Sequence, residues 1–300
     1  MKAFLIIFIS IILEAMPFVL LGALVSACIG LFVSESLIEK ILPKRRWIGF
    51  IVAALLGIVF PVCECAIIPI TRRLIKKGVP IGMGMTFMLA VPIVNPVVLL
   101  STYYAFNDRL YMLYARAGFG FLAAVAVGVL ISISEGSSKP VLKDETVTDE
   151  VLCACGCQEI YRGYGAPSYI RSILEHTSKE FLNIIKYLVI GASLSALFQT
   201  YVDKDIMRFI GSHSYLAILF MMALAFVLSV CSEVDAFIAR SFIMQFSSGS
   251  ILAFLVFGPM LDIKNMLMLM GHFKTRFVIK VAVYITLISA LIGFIANLFI

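Results

Sequence analysis

The chain is 300 residues long, 62% hydrophobic and 14% charged, with a mean hydropathy of +1.05. Soluble chains carry about 25% charged residues, so this composition excludes a soluble globular domain. The net charge of +6 requires no nucleic acid, because basic loops are ordinary topology signals on membrane proteins.

Charge-free stretches cover residues 15–34, 47–63, 78–107, 117–134, 187–202, 209–232, 241–261 and 281–300. Crossing hydrocarbon takes about 18–20 apolar residues, which most of these stretches reach and the rest approach with their flanks. The expectation is an all-α integral membrane protein of about eight transmembrane helices. It would be multi-pass in a bacterial inner or plasma membrane, in contact with lipid. Met1-Lys2 ahead of an apolar run resembles a signal peptide. Glu14 interrupts that run, however, apolarity resumes through Val33, and no small-residue cleavage site ends it. A retained first helix is expected.

A short amphipathic piece follows at Ser36–Leu42, ended by Pro43 and the basic run Lys44-Arg45-Arg46. Trp47 then opens the second span at an interfacial position, as aromatic belt residues do. That span runs into Pro61-Val-Cys-Glu-Cys-Ala-Ile-Ile-Pro69. A carboxylate at the bilayer centre costs about 2.5–3.5 kcal/mol on insertion scales, so Glu64 is anomalous there. Proline lacks an N–H and clashes with the carbonyl four residues back, so the helix should open near Gly57 and again near Cys65. On a regular helix Cys63 and Cys65 would point to opposite sides, two steps of about 100° apart. An unwound turn lets both thiols face one ligand. Beyond a basic half-helix ending at Lys76-Lys77-Gly78, residues 79–107 carry a second break at Pro92, Asn95 and Pro96. The Gly82-x-Gly84 pair reads as close helix packing.

Residues 135–179 form the long polar segment, with a short amphipathic helix expected from Ser168 to Lys179. The segment is a linker rather than a domain. It divides a first transmembrane repeat, 1–134, from a second, 180–300. Gly22 matches Gly191, Lys40 Arg208, Cys63 Cys231, Arg72 Arg240, Pro92 Pro259, Asn95 Asp262 and Arg109 Arg276, at offsets falling from 169 to 167. Duplicated halves are common in transporters, with the substrate site at their interface and built from interrupted helices. Four full crossings per half would make the repeats parallel; a segment that dips in and returns would make them inverted.

The candidate substrate-binding residues are Cys63, Glu64 and Cys65 in the first half and Cys231, Glu233 and Asp235 in the second, with Asn95 and Asp262 at the later breaks. Soft thiolates suit copper(I), zinc and trivalent arsenic, with carboxylate as a harder partner. Arg72, Arg240 and Lys264 are the expected charge partners. The plainer alternatives are that Glu64 pairs with Arg72 or Arg73, that Glu233 and Asp235 balance Arg240, and that Asp262 satisfies Lys264. Pro92 and Pro259 free the carbonyls of Met88 and Leu255 as further oxygen ligands. Cys153, Cys155 and Cys157 put three sulfurs on one side of an extended chain, a trap for a soft metal. Cys28 reads as packing, and His176, His213 and His272 as ordinary interface residues. No nucleophile–base pair or nucleotide motif is present, so no enzyme is expected, and a gradient or a partner would drive transport.

With those residues in view, the chain resembles the bacterial predicted-permease family that includes organoarsenical efflux permeases. The likeness rests on Pro61-Val-Cys-Glu-Cys-x-x-x-Pro69, Thr86-Phe87-Met88-Leu89-Ala90, Pro92-x-x-Asn95-Pro96 and Ser229-Val-Cys231-Ser. It implies a multi-span permease in which Cys63, Cys65 and Cys231 bind cargo. The function expected is secondary transport of a thiophilic metal, metalloid or organoarsenical species. Two alternatives are a channel or scaffold subunit serving a separate metal-binding partner, and a membrane thiol oxidoreductase cycling Cys63 and Cys65. No cofactor is called for beyond a soft metal ion acting as substrate or ligand. Either a second copy of the chain or a partner subunit would complete the assembly.

Overall fold

The structure is a computed structural model, which describes residues 2–32, 46–59, 64–135, 141–142, 166–201 and 214–299. Cys63, the amphipathic piece at 36–42 and the cluster Cys153, Cys155 and Cys157 lie outside the described residues, as do the side chains of Glu14, Cys28, His176 and His213. The helices are α1 (Lys2–Phe32), α2 (Arg46–Val59), α3 (Glu64–Lys76), α4 (Ile81–Val94), α5 (Pro96–Ala105), α6 (Tyr111–Glu135), α7 (Ala166–Tyr201), α8 (Ser214–Leu228), α9 (Asp235–Ser241), α10 (Ser248–Met260), α11 (Ile263–His272) and α12 (Thr275–Phe299). Among the described residues there is no strand, only an isolated bridge between Leu142 and Phe273. The chain is an all-α integral membrane protein. Leu5, Ile133, Leu287 and Phe299 are among many large apolar side chains left exposed on its outer surface, as a lipid-facing surface requires.

Of the eight apolar runs expected, six are found among the described residues as helices long enough to cross a membrane: Phe4–Val25, Ile81–Ala105, Tyr111–Glu135, Ile173–Leu197, Ser248–His272 and Thr275–Phe299. The other two, Trp47–Ile58 and Leu216–Leu228, are shorter helices. The helix expected from Ser168 to Lys179 is continuous with the following span in the 36-residue α7.

Glycine contacts fix the directions of these helices. Gly82, at the start of α4, meets Gly128 and Ser132 near the end of α6, while Gly120 meets Ile93 near the end of α4. The two are therefore antiparallel. Gly249 and Gly293 place α10 and α12 in the same relation. Tyr111 Oη lies 3.1 Å from Ser248 Oγ, so α6 and α10 start on one face. Lys280 Nζ donates to Glu135, so α12 starts where α6 ends. It follows that α4 and α10 run in opposite directions, as do α6 and α12.

Beside α4, Gly49 of α2 meets Met83 and Gly57 meets Val91 and Val94, so α2 enters from the face on which α4 begins. Gly84 meets Ile75 and Thr71, so α3 carries the chain back to that face. In the second half Gly258 of α10 meets Ala225 of α8. Arg240 of α9 then returns to the face of Asp108, with which it pairs. Each short apolar helix is thus one arm of a hairpin that dips to mid-membrane and turns back. The return arms cross over, α3 packing on α11 and α9 on α5.

Candidate functional site

The inner ends of the two hairpins meet each other and the break between α10 and α11, through Ser232 with Glu64 and Ser229 with the Lys264 amide. Glu64 opens α3, where the helix N-terminus favours a carboxylate. It is buried, and its Oε2 accepts a hydrogen bond from Ser232 Oγ of the opposite hairpin at 3.2 Å. Ser232, rather than Arg72 or Arg73, is therefore the hydrogen-bond donor to Glu64. Cys65 follows it and is fully buried.

The second hairpin turns at Ser229–Val234 without any proline. Its break is marked instead by Ser229 at φ +50, a left-handed conformation that non-glycine residues seldom adopt. Such strain concentrates at functional sites. Cys231 lies in this turn and is buried.

The broken span α10–α11 completes the centre. Asp262 caps α11, its Oδ1 accepting from the Asn265 amide at 2.6 Å. Its other oxygen lies 3.7 Å from Lys264 Nζ, too far for a hydrogen bond. Lys264 is fully buried, and Cys231, Asp262, Cys65 and Glu64 all lie within electrostatic range of it. Its backbone is also seated hard against Gly191 of α7, where an added Cβ would meet Lys264 Cα at 3.0 Å. A cavity of about 10 Å³ lies between α3, α4, α10 and α11, with Glu64, Met88, Pro259, Met260 and Asn265 among its walls.

The other expected residues have partners of their own, and Asp235 adjoins the centre through Arg116, which also donates to the Ser232 carbonyl. Asn95 caps α5, its Oδ1 accepting from the Val97 amide at 2.9 Å. That is the counterpart of Asp262 on α11. Asp235 is buried in a bidentate pair with Arg116 of α6 at 2.7 and 2.8 Å. Arg240 pairs with Asp108 instead of with Glu233 or Asp235, at 2.6 and 3.0 Å. Glu233 and Arg72 are half-buried. Among the described residues no three His, Cys, Asp or Glu side chains come together as a metal-holding group.

The sequence pattern of a family described as "Predicted permease" matches residues 1–298. The chain belongs to this predicted-permease family. It is 46% identical to the "UPF0718 protein YcgR" of Bacillus subtilis (strain 168) over 282 residues, 94% of this chain and 92% of the relative. It is 36% identical over 274 residues, 91% and 88% of the two chains, to a Streptococcus mutans protein provisionally named a two-component membrane permease complex subunit. A third relative, the "UPF0718 protein MJ0584" of Methanocaldococcus jannaschii, is 22% identical over 77% of this chain and 67% of its own. No solved structure matches the chain.

Three residues of the permease's centre escape a reading of the sequence. Arg116 stands only seven positions after Arg109 and passes for the flank of a span. A lone cation with apolar residues on both sides is nevertheless the signal to look for. Asn265 carries no charge and leaves no comparable trace, and Ser232 shows only as the last residue of Ser229-Val-Cys231-Ser.

Proposed function

We propose that this membrane permease carries a thiophilic metal, metalloid or organoarsenical species, with Cys63, Cys65 and Cys231 as its sulfur ligands. The observation that carries the reading is convergence: Cys65 of one hairpin and Cys231 of the other lie within electrostatic range of the same buried lysine. Two thiols held on separate, oppositely inserted hairpins can close on a soft cargo from either side. Glu64 and Asp262 tune the charge of that centre. We also read residues 1–134 and 180–300 as inverted repeats, a reading that the opposite directions of α4–α6 and α10–α12 support. Cys153, Cys155 and Cys157 of the linker add three thiols that could collect cargo ahead of the hairpins.

Export of phenylarsenite, cadmium and zinc from cells producing the full chain tests this. At least one should be exported, with loss of about tenfold or more on Cys65→Ser and on Cys231→Ser, since each removes a direct ligand. Full export by both variants rules the reading out. A second reading follows from the Streptococcus mutans relative, described as a complex subunit. On it, the chain works with a partner subunit, export by the chain alone is absent, and co-purification from its native membrane recovers the partner.

A further inference from the structure

Five charged side chains are almost wholly buried among the described residues: Glu64, Asp235 and Asp262 against Arg116 and Lys264. The Arg116–Asp235 pair closes on itself through two hydrogen bonds. What remains is two carboxylates facing a single ammonium, a surplus of one negative charge away from water. A buried charge without a counter-charge is expensive, and the structure shows where one would go.

Glu64 Oε1 and Asn265 Oδ1 are buried and have no hydrogen-bond partner among the described residues. Both belong to side chains on the wall of the same cavity of about 10 Å³, room for one particle the size of a water. Pro92 cannot donate to the Met88 carbonyl, and Met88 is one of the residues lining the cavity. The C-terminal end of α10 at Pro259 and Met260 also reaches it, bringing the negative pole of a helix. The two unpartnered oxygens, one carboxylate and one amide, suit a hard cation, and the rest of the wall is aliphatic side chains, Pro259 and the thioether residues Met88 and Met260. A divalent ion would overshoot the surplus, whereas a monovalent one cancels it. Neither Cys65 nor Cys231 is on this wall, so the oxygen site is distinct from the thiol site beside it.

We propose that Glu64 and Asn265, with the carbonyl end of α10, form a sodium-binding site that neutralises the centre and serves as the coupling ion of transport. This deepens the transport reading by naming its driving ion, but it is tested without any cargo and so fails or stands apart from the thiol assignment. The test is equilibrium binding of radiolabelled sodium to the purified full-length protein, with choline holding ionic strength constant. Saturable binding near one ion per chain is expected, with potassium competing poorly because the cavity is small. Glu64→Gln and Asn265→Leu should each weaken binding about tenfold or more. A second measurement guards against misfolding. In choline the Glu64→Gln protein should melt no lower than the wild type, since it lacks the surplus charge, while losing the stabilisation that sodium confers on the wild type. Absence of saturable sodium binding overturns the proposal, as does equal competition by potassium or wild-type affinity in both variants.

Discussion

At the scale of the residue, Arg116 and Asp235 form a buried bidentate ion pair. Arg116 is fully buried, gives two hydrogen bonds to the carboxylate, and gives others to Thr102 Oγ1 at 2.8 Å and the Ser232 carbonyl at 3.3 Å. Removing either partner strands the other charge, at about 3–5 kcal/mol, whereas an apolar pair of similar volume is close to neutral. Arg116→Leu and Asp235→Leu should therefore each lower the melting temperature in detergent sharply, and the double variant should melt above both singles. Additive losses in the double would mean that the pair is not the source of either effect. The sequence shows the unusual acids and not their partners. Glu64 stands out because an acid within an apolar run is conspicuous. Arg116 lies 119 positions from Asp235, a separation that no local pattern bridges, and Arg240, five positions from Asp235, is the nearer but wrong candidate.

At the scale of the element, seams of glycine let the long helices approach one another. A Cβ on Gly128 would stand 1.8 Å from Thr86 Oγ1 and 2.7 Å from the Gly82 carbonyl, whereas one on Gly118 meets nothing within 4 Å. Backbone this close leaves no space for a side chain. Gly128→Val should collapse the yield of monodisperse protein while Gly118→Ala is tolerated; equal yields would show that α4 and α6 can separate freely. The Gly82-x-Gly84 pair was legible as packing because it serves as packing: Gly84 meets Ile75 as Gly82 meets Gly128. The breaks at Asn95 and Asp262 were legible from their prolines. The hairpins were not, because hydropathy records how apolar a run is and not whether it returns. Residues 47–63 reach nearly the length of a span, yet α2 stops at Val59 and α3 doubles back. Only packing against α4 and α11 reveals the reversal. Asn95 also illustrates the limit of residue type: an amide between prolines suggested a ligand, and its Oδ1 is engaged in capping a helix. Asn95→Ala should cost about 1 kcal/mol of stability, the ordinary value of a lost cap, read as a modest fall in melting temperature.

At the scale of the whole molecule, the described helices α1–α6 and α7–α12 are joined by polar contacts at both faces. On one face Asp108 holds Arg240 through two hydrogen bonds, and Tyr111 meets Ser248. On the other, Glu135 holds Lys280, and the Lys274 amide donates to the Val141 carbonyl at 2.9 Å. A carrier whose centre opens to one face at a time must release one set of contacts while keeping the other. The Arg240 guanidinium, by its hydrogen bonds to Asp108, holds that carboxyl below its usual value of 3.8. An acid whose pKa is lowered in the folded protein keeps its partner above the ordinary carboxylate range and loses it as the pH falls through the lowered value. The contact is thus intact across neutral pH, and accessibility should not change there. Exposed pairs contribute little, so breaking one should shift an open population only a few-fold. Asp108→Asn should accordingly speed labelling of Cys231 by a membrane-impermeant maleimide applied to the face of Asp108. Glu135→Gln should speed it only from the opposite face. The two rates, measured on sealed vesicles of each orientation, must respond to opposite variants. If both variants accelerate labelling from the same side, the contacts at the two faces do not alternate, and the centre is reached by a single permanent route.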